Sequence, residues 1–391
     1  MPLTETLLRA TAPLHSFPPD CGGILIHGPT REDVETAKER FLLQLEELKL
    51  HRFVHTTHEV KAGCHSIRFQ LDAWIANEWA ADCDTTQLCT QLQLDTNNNA
   101  NDLAREILLA MLLGPVAFEF PSHEELQSAV RIRQNIVTAG RSTAMAFDTV
   151  VAERPTEYWT YSEENGFTVL PGKPLITALQ KATQPGASGR LYSFSCYRAT
   201  EYVILLGIAQ ELTTSNPTLF HQLQRQWEQQ AIMSGRFHET FLREYGSMAA
   251  PLPPKYYVPG DRLWFRNPDA HSSDVMGYEG SWVFYLGNGL FSNFWKPDQP
   301  YTLTAKCLEL FHWRHATYRD PSGELQIDES IVEARVRESM NDPDEVERIL
   351  AEMLRLREPQ GIYVDGGCID TSREYPRWVC PHTADLQLPG I

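Results

Sequence analysis

Apolar positions along this chain change period several times, and each change marks an element. Gly23-Ile24-Leu25-Ile26 is a short apolar run and predicts a strand. Between Arg31 and Leu50, Val34, Ala37, Phe41, Leu42, Leu45 and Leu48 recur at helical spacing and form one stripe. Ser66 to Asp72 alternates as a half-buried strand does. The polar tract Thr96-Asn97-Asn98-Asn99-Ala100-Asn101-Asp102 breaks the pattern and ends on residues able to cap a helix, which places a boundary near residue 100. A helix from Asp102 to Leu113 is stopped by Gly114-Pro115, and Ser122-His123-Glu124-Glu125 is a capping box opening another that runs to about Ala139. Tyr158 to Tyr161 and Phe167 to Leu170 predict a hairpin turning at Glu164-Asn165-Gly166. An apolar helical stretch follows Cys196, and a polar-faced helix spans about Pro217 to Met233. Asp261 to Phe265 and Ser281 to Leu286 are the clearest strands. Ile327 to Arg357 is charged and helical, broken at Asn341-Asp342-Pro343, and the Gly/Pro-rich tail contains Cys368 and Cys380.

These elements predict an α+β fold in three parts: a small α+β unit over 1–100, a denser central domain over 101–318, and a helical acidic extension over 319–391. With 391 residues the chain is long enough to bury a sizeable core. A formal charge of −17 argues against nucleic acid or an anionic membrane surface as partner and favours basic, lysine-bearing ones. No apolar run approaches the ~20 residues needed to span a bilayer. Met1-Pro2-Leu3-Thr4-Glu5 also lacks the build of a signal peptide, so a soluble cytoplasmic protein is expected. Eight cysteines scattered without a tight framework fit a reduced compartment.

The sharpest chemical feature is Cys196 in Tyr192-Ser193-Phe194-Ser195-Cys196-Tyr197-Arg198, directly before the apolar helix. A thiol on a first helical turn meets unpaired backbone N–H groups and the positive end of the helix dipole, and both favour the nucleophilic thiolate. His51, His55, His58, Cys64 and His65 crowd one stretch without paired zinc spacing, and Gly28-Pro29-Thr30 lacks the lysine of a phosphate loop. No metal and no cofactor are therefore expected. The aromatic set Trp264, Phe265, Trp282, Phe284, Tyr285 and Trp295 alternates at strand spacing and reads as core and groove lining, with Trp264, Trp282 and Tyr285 expected to contact substrate.

The motifs around Cys196 follow an order. Phe120-Pro121-Ser122-His123-Glu124-Glu125-Leu126 and Arg131-Ile132-Arg133-Gln134-Asn135 precede the thiol. Gly260-Asp261, Asn267-Pro268-Asp269, Tyr285-Leu286-Gly287 and Phe291-Ser292-Asn293 follow it. From about Asp102 to Asn293 this resembles the papain-like core of bacterial cysteine peptidases and transglutaminases, most closely the protein-glutamine γ-glutamyltransferase of spore-forming bacteria. The resemblance implies attack by Cys196 on a glutamine carboxamide, loss of ammonia, and capture of the thioester by a lysine or other primary amine. Its substrates would be proteins bearing glutamine and lysine. It departs at the partner positions: the glutamate before the cysteine is Ser195, the glutamate opening the late strand is Ser281, and the later histidine is Asn293. Glu279, two residues before Ser281 and on the same strand face if the strand extends back, is the first substitute base. His271 is the second, and His312 and His315 follow. Two alternatives stay open: a thiol-dependent deamidase, amidase or peptidase in which water takes the acyl group, and a binding module that keeps the fold without the chemistry.

Overall fold

The structure, a computed structural model, describes residues 22–61, 63–147, 152–357 and 366–389. Thr30 opens the first helix, Arg31–Glu47, through a reciprocal cap in which its hydroxyl accepts from the Asp33 N–H and the Asp33 carboxylate accepts from the Thr30 N–H. Val34, Ala37, Phe41 and Leu45 of that helix are buried, as the stripe requires. They belong to one hydrophobic core with Ile24, Ile26, Ile67 and Phe69 of a four-stranded sheet. That sheet is ordered Val54–Lys61, Cys64–Leu71, Gly23–Gly28, Ala117–Phe120. Its last strand pairs parallel with Gly23–Gly28 and lies beyond the Asn-rich tract, so the sheet joins segments on both sides of residue 100.

A second sheet of six strands runs Tyr301–Thr302, Leu290–Phe291, Gly280–Gly287, Arg262–Arg266, Ser372–Pro376, Leu242–Gly246. The Gly/Pro-rich tail thus returns to supply an inner strand, antiparallel to both neighbours. Alternation along Gly280–Gly287 sorts the two faces. Phe284 and Leu286 join the core that holds the helices His123–Ser142 and Cys196–Ser215, whereas Val283 and Tyr285 join a second core with Leu303–Trp313, Glu329–Ser339 and Pro343–Met353. The result is helix, sheet, helix in three layers.

Helix Cys196–Ser215 is buried almost all round from Ala199 to Ala209, the mark of a central helix. Gly207 lets it approach His123–Ser142 closely, since a Cβ there would lie 2.7 Å from Cγ1 of Ile136. The buried carboxylates of this helix are matched: Arg131 forks onto Glu211 at 2.7 and 3.0 Å, and Arg198 meets Glu201 at 2.6 Å. Arg133, 2% exposed, donates to Asp261, 0% exposed, at 2.7 Å. Tyr245 O–H and the Val258 N–H donate to the same carboxylate. This pair locks the turn entering strand Arg262–Arg266 onto the helix behind it.

Candidate active site

Cys196 is the first residue of its helix, and Ser195 is the N-cap, its hydroxyl accepting from the Arg198 N–H at 3.4 Å. The helix begins here because Ser195 takes extended backbone angles (φ −77°, ψ 156°) and turns its side chain back over the first turn. Burial pushes the Cys196 thiol above the ordinary cysteine range. The Trp282 N–H, the charge of Lys306 and the N–H groups of Tyr197 and of Cys196 itself pull the other way. Three backbone donors therefore surround the sulfur, two from the first helical turn and one from strand Gly280–Gly287.

The thiol opens into a cavity of about 690 Å³, the size of a small-ligand or side-chain site. Ser281 and Asn293 stand on its wall beside Cys196, while Tyr278, Trp295, Tyr301 and Trp313 supply aromatic surface. The charged groups come largely from beyond Asn293: Lys306 and Glu309 on helix Leu303–Trp313, and Glu329, Glu333 and Arg337 on Glu329–Ser339. Lys306 Nζ lies 2.7 Å from Glu309, and the Tyr278 hydroxyl donates to Glu329 at 2.7 Å. Burial raises Glu329 above the usual carboxylate range, opposed chiefly by the Tyr278 hydrogen bond. Among the described residues, no group of three or more His, Cys, Asp or Glu side chains is arranged to hold a metal ion. Among them, too, no helix is long and apolar enough to cross a membrane.

The sequence model of a family described as protein-glutamine gamma-glutamyltransferase matches residues 83–387, most of the chain. The chain belongs to that family. The match extends past Asn293 through the helices that wall the cavity, further than the motifs around Cys196 reach. A protein-glutamine gamma-glutamyltransferase of Bacillus licheniformis is 25% identical over 198 residues, 50% of this chain and 74% of that relative.

Within this transglutaminase-family site, the structure brings together Cys196, Ser281 and Asn293. The Asn293 side chain is occupied with its own turn, donating to the Gln299 carbonyl at 3.0 Å and accepting from the Lys296 N–H at 3.2 Å. Glu279 and His271 are exposed and lie off the cavity wall. The strand starts at Gly280, so alternation does not carry back to Glu279; it sits in the preceding bend and accepts from the Gly277 N–H at 3.2 Å. His312 is buried between Ser339 and His315 and does not reach the cavity wall. Tyr285 is wholly buried, its hydroxyl donating to Glu106 at 3.1 Å. Trp264 and Trp282 stack on each other with centroids 6.0 Å apart, and Arg262 covers Trp282. The aromatic lining of the cavity is a different set, and nothing local marks Lys306 and Glu309, isolated charges on the largely apolar helix Leu303–Trp313, or Glu329, at the head of a charged helix, as facing a cavity.

Proposed function

We infer that this protein transfers the γ-glutamyl group of a protein-bound glutamine to a primary amine through a thioester on Cys196. The observation that carries this reading is the placement of a family-matched thiol at a helix N-terminus, ringed by backbone donors and open to a side-chain-sized cavity. The fold around it is read as papain-like, with the thiol helix packed on the sheet that supplies Ser281 and Trp282. In the three-part division, the first part borrows strand Ala117–Phe120 and the last part returns Ser372–Pro376 to the central sheet.

The chemistry follows from the donors. The Cys196 thiolate attacks the carboxamide carbon, and the oxyanion forms beside the N–H groups of Cys196, Tyr197 and Trp282, which already face the sulfur. The C–N bond breaks, nitrogen takes a proton and leaves as ammonia, and the acyl group stays on sulfur. A lysine amine then attacks the thioester, gives up a proton, and returns the thiol with an isopeptide bond formed. Of the cavity carboxylates, Glu329 has the raised proton affinity that suits a base for the incoming amine. Intact-mass measurement after mixing with a glutamine peptide, without amine, tests the reading: the predicted adduct equals the peptide mass less ammonia and maps to Cys196. A peptide turned over to glutamate with no capture by added amine would instead make the protein a deamidase.

A further inference from the structure

The two side chains nearest Cys196 in the motif carry no charge. Ser195 precedes it and Ser281 lines the same cavity, where the resemblance led to two glutamates. A pair of carboxylates beside a thiol would oppose the thiolate; two hydroxyls leave the matter to whatever else charges the cavity. The third cavity wall supplies it.

Lys306 is 1% exposed, and a lysine is almost never so buried without a partner. Its partner is Glu309, one helical turn on, at 2.7 Å, and its ammonium also lies 4.0 Å from the centre of the Tyr301 ring. The second oxygen of Glu309 accepts the Tyr301 hydroxyl at 2.9 Å, so ring, carboxylate and ammonium hold one another in place. Three N–H bonds project from an ammonium, and Glu309 takes one. Lys306 lines the same cavity as the thiol, and its positive charge opposes the effect of burial on the sulfur.

Other charges near the cavity are already committed. Lys296 pairs with Glu333, both about half exposed, at the mouth, and Arg337 donates to the Glu333 carbonyl. Glu329 takes the Tyr278 hydroxyl. On the Cys196 helix and the adjoining strands, Arg198 is bound by Glu201, and Arg262 by Glu374.

We propose that Lys306, fixed by Glu309 and Tyr301, is the cationic partner of the Cys196 thiolate where the two family glutamates are absent. It is a positioning residue: it acts on sulfur through its charge, making the nucleophile available without entering the bonds that form and break. The inference rests on the acyl-transfer reading of Cys196 for its purpose, though not for its physics.

The test is the pH profile of iodoacetamide reaction at Cys196, resolved from the other cysteines by peptide mass mapping on the full-length chain. Amine incorporation is measured in parallel. Removing the charge with Lys306→Met moves the midpoint up by about one pH unit or more, which is roughly a tenfold slower reaction at pH 8. Lys306→Arg restores the wild-type profile. If Lys306→Met fails to fold, Lys306→Gln decides, because it removes the same charge with a polar side chain and raises the midpoint in the same way. Superimposed profiles in wild type and Lys306→Met, or in wild type and a folded Lys306→Gln protein, overturn the proposal. A shifted profile in a protein that never incorporates amine keeps the ion pair and sinks the acyl-transfer reading. Amine incorporation with superimposed profiles does the reverse.

Discussion

Asp261→Asn is the perturbation whose consequence the structure fixes most fully. The Asp261 carboxylate is 0% exposed and receives Arg133 at 2.7 Å, the Val258 N–H at 2.7 Å and the Tyr245 hydroxyl. Asparagine keeps the shape and removes the charge. If its oxygen stays toward Arg133, its NH2 group faces the Val258 N–H; if it turns over, the NH2 faces the guanidinium. Either way a buried donor is stranded, at about 1–3 kcal/mol, and Arg133 keeps a buried positive charge without its counter-ion. Breaking one side of a buried pair costs about 3–5 kcal/mol, and the expected loss lies in that range. Urea unfolding followed by tryptophan fluorescence reads it as a lower midpoint at unchanged slope. Amine incorporation should fall with it, because the Val258–Asp261 turn seats strand Arg262–Arg266, which is paired residue for residue with the strand that holds Ser281 and Trp282. Arg133→Met in the same chain removes the stranded cation and should return about 1–3 kcal/mol. A cost below about 1 kcal/mol for Asp261→Asn, or a double variant as unstable as the sum of the singles, would refute the argument.

Three further outcomes follow from separate features. His312 is 3% exposed, faces Ser339 at 2.8 Å and His315 at 3.1 Å, and has its pKa lowered to about 4, first by burial. The unfolded chain binds this proton first, so the stabilisation is complete above pH ~6.5 and is lost as pH falls toward 4, by roughly 2–3 kcal/mol; His312→Gln should flatten that limb in acid unfolding curves. Gly207→Leu drives a side chain into Ile136 and should lower the urea midpoint by an amount equal to about 1–3 kcal/mol. Cys307 and Cys368, buried with sulfurs 3.8 Å apart, should resist alkylation in native protein long after exposed Cys64 is fully labelled; equal labelling rates would contradict the packing.

Local structure was legible wherever the chain signals it locally. Cys196 reads as opening a helix and does, with Ser195 as its N-cap. Asn165-Gly166 reads as a hairpin turn, and Gly166 takes the left-handed backbone (φ 70°) that the turn requires. Asp342-Pro343 breaks the long acidic helix because Asp342 caps the next one and Pro343 opens it. The capping box at Ser122 formed only by half: Ser122 accepts from the Glu125 N–H, but the Glu125 carboxylate turns away to receive the N–H groups of Val379 and Cys380. That contact spans 254 residues and no local pattern announces it. The same distance hides the inner strand Ser372–Pro376, whose short polar sequence acquires its place only from its neighbours. The cavity failed to show for a related reason. Lys306 and Glu309, isolated charges on a largely apolar helix, and Glu329, at the head of a charged one, carry no local mark of a cavity until the third layer folds over the sheet and turns them toward it.

The most direct test of the central claim is incorporation of a fluorescent primary amine into a glutamine-bearing protein, with released ammonia measured in the same tube, for wild type and Cys196→Ala. Wild type should incorporate amine and release ammonia in equal amounts, and the alanine variant should do neither. Incorporation that survives Cys196→Ala, or a wild type that releases no ammonia and takes up no amine, would contradict it.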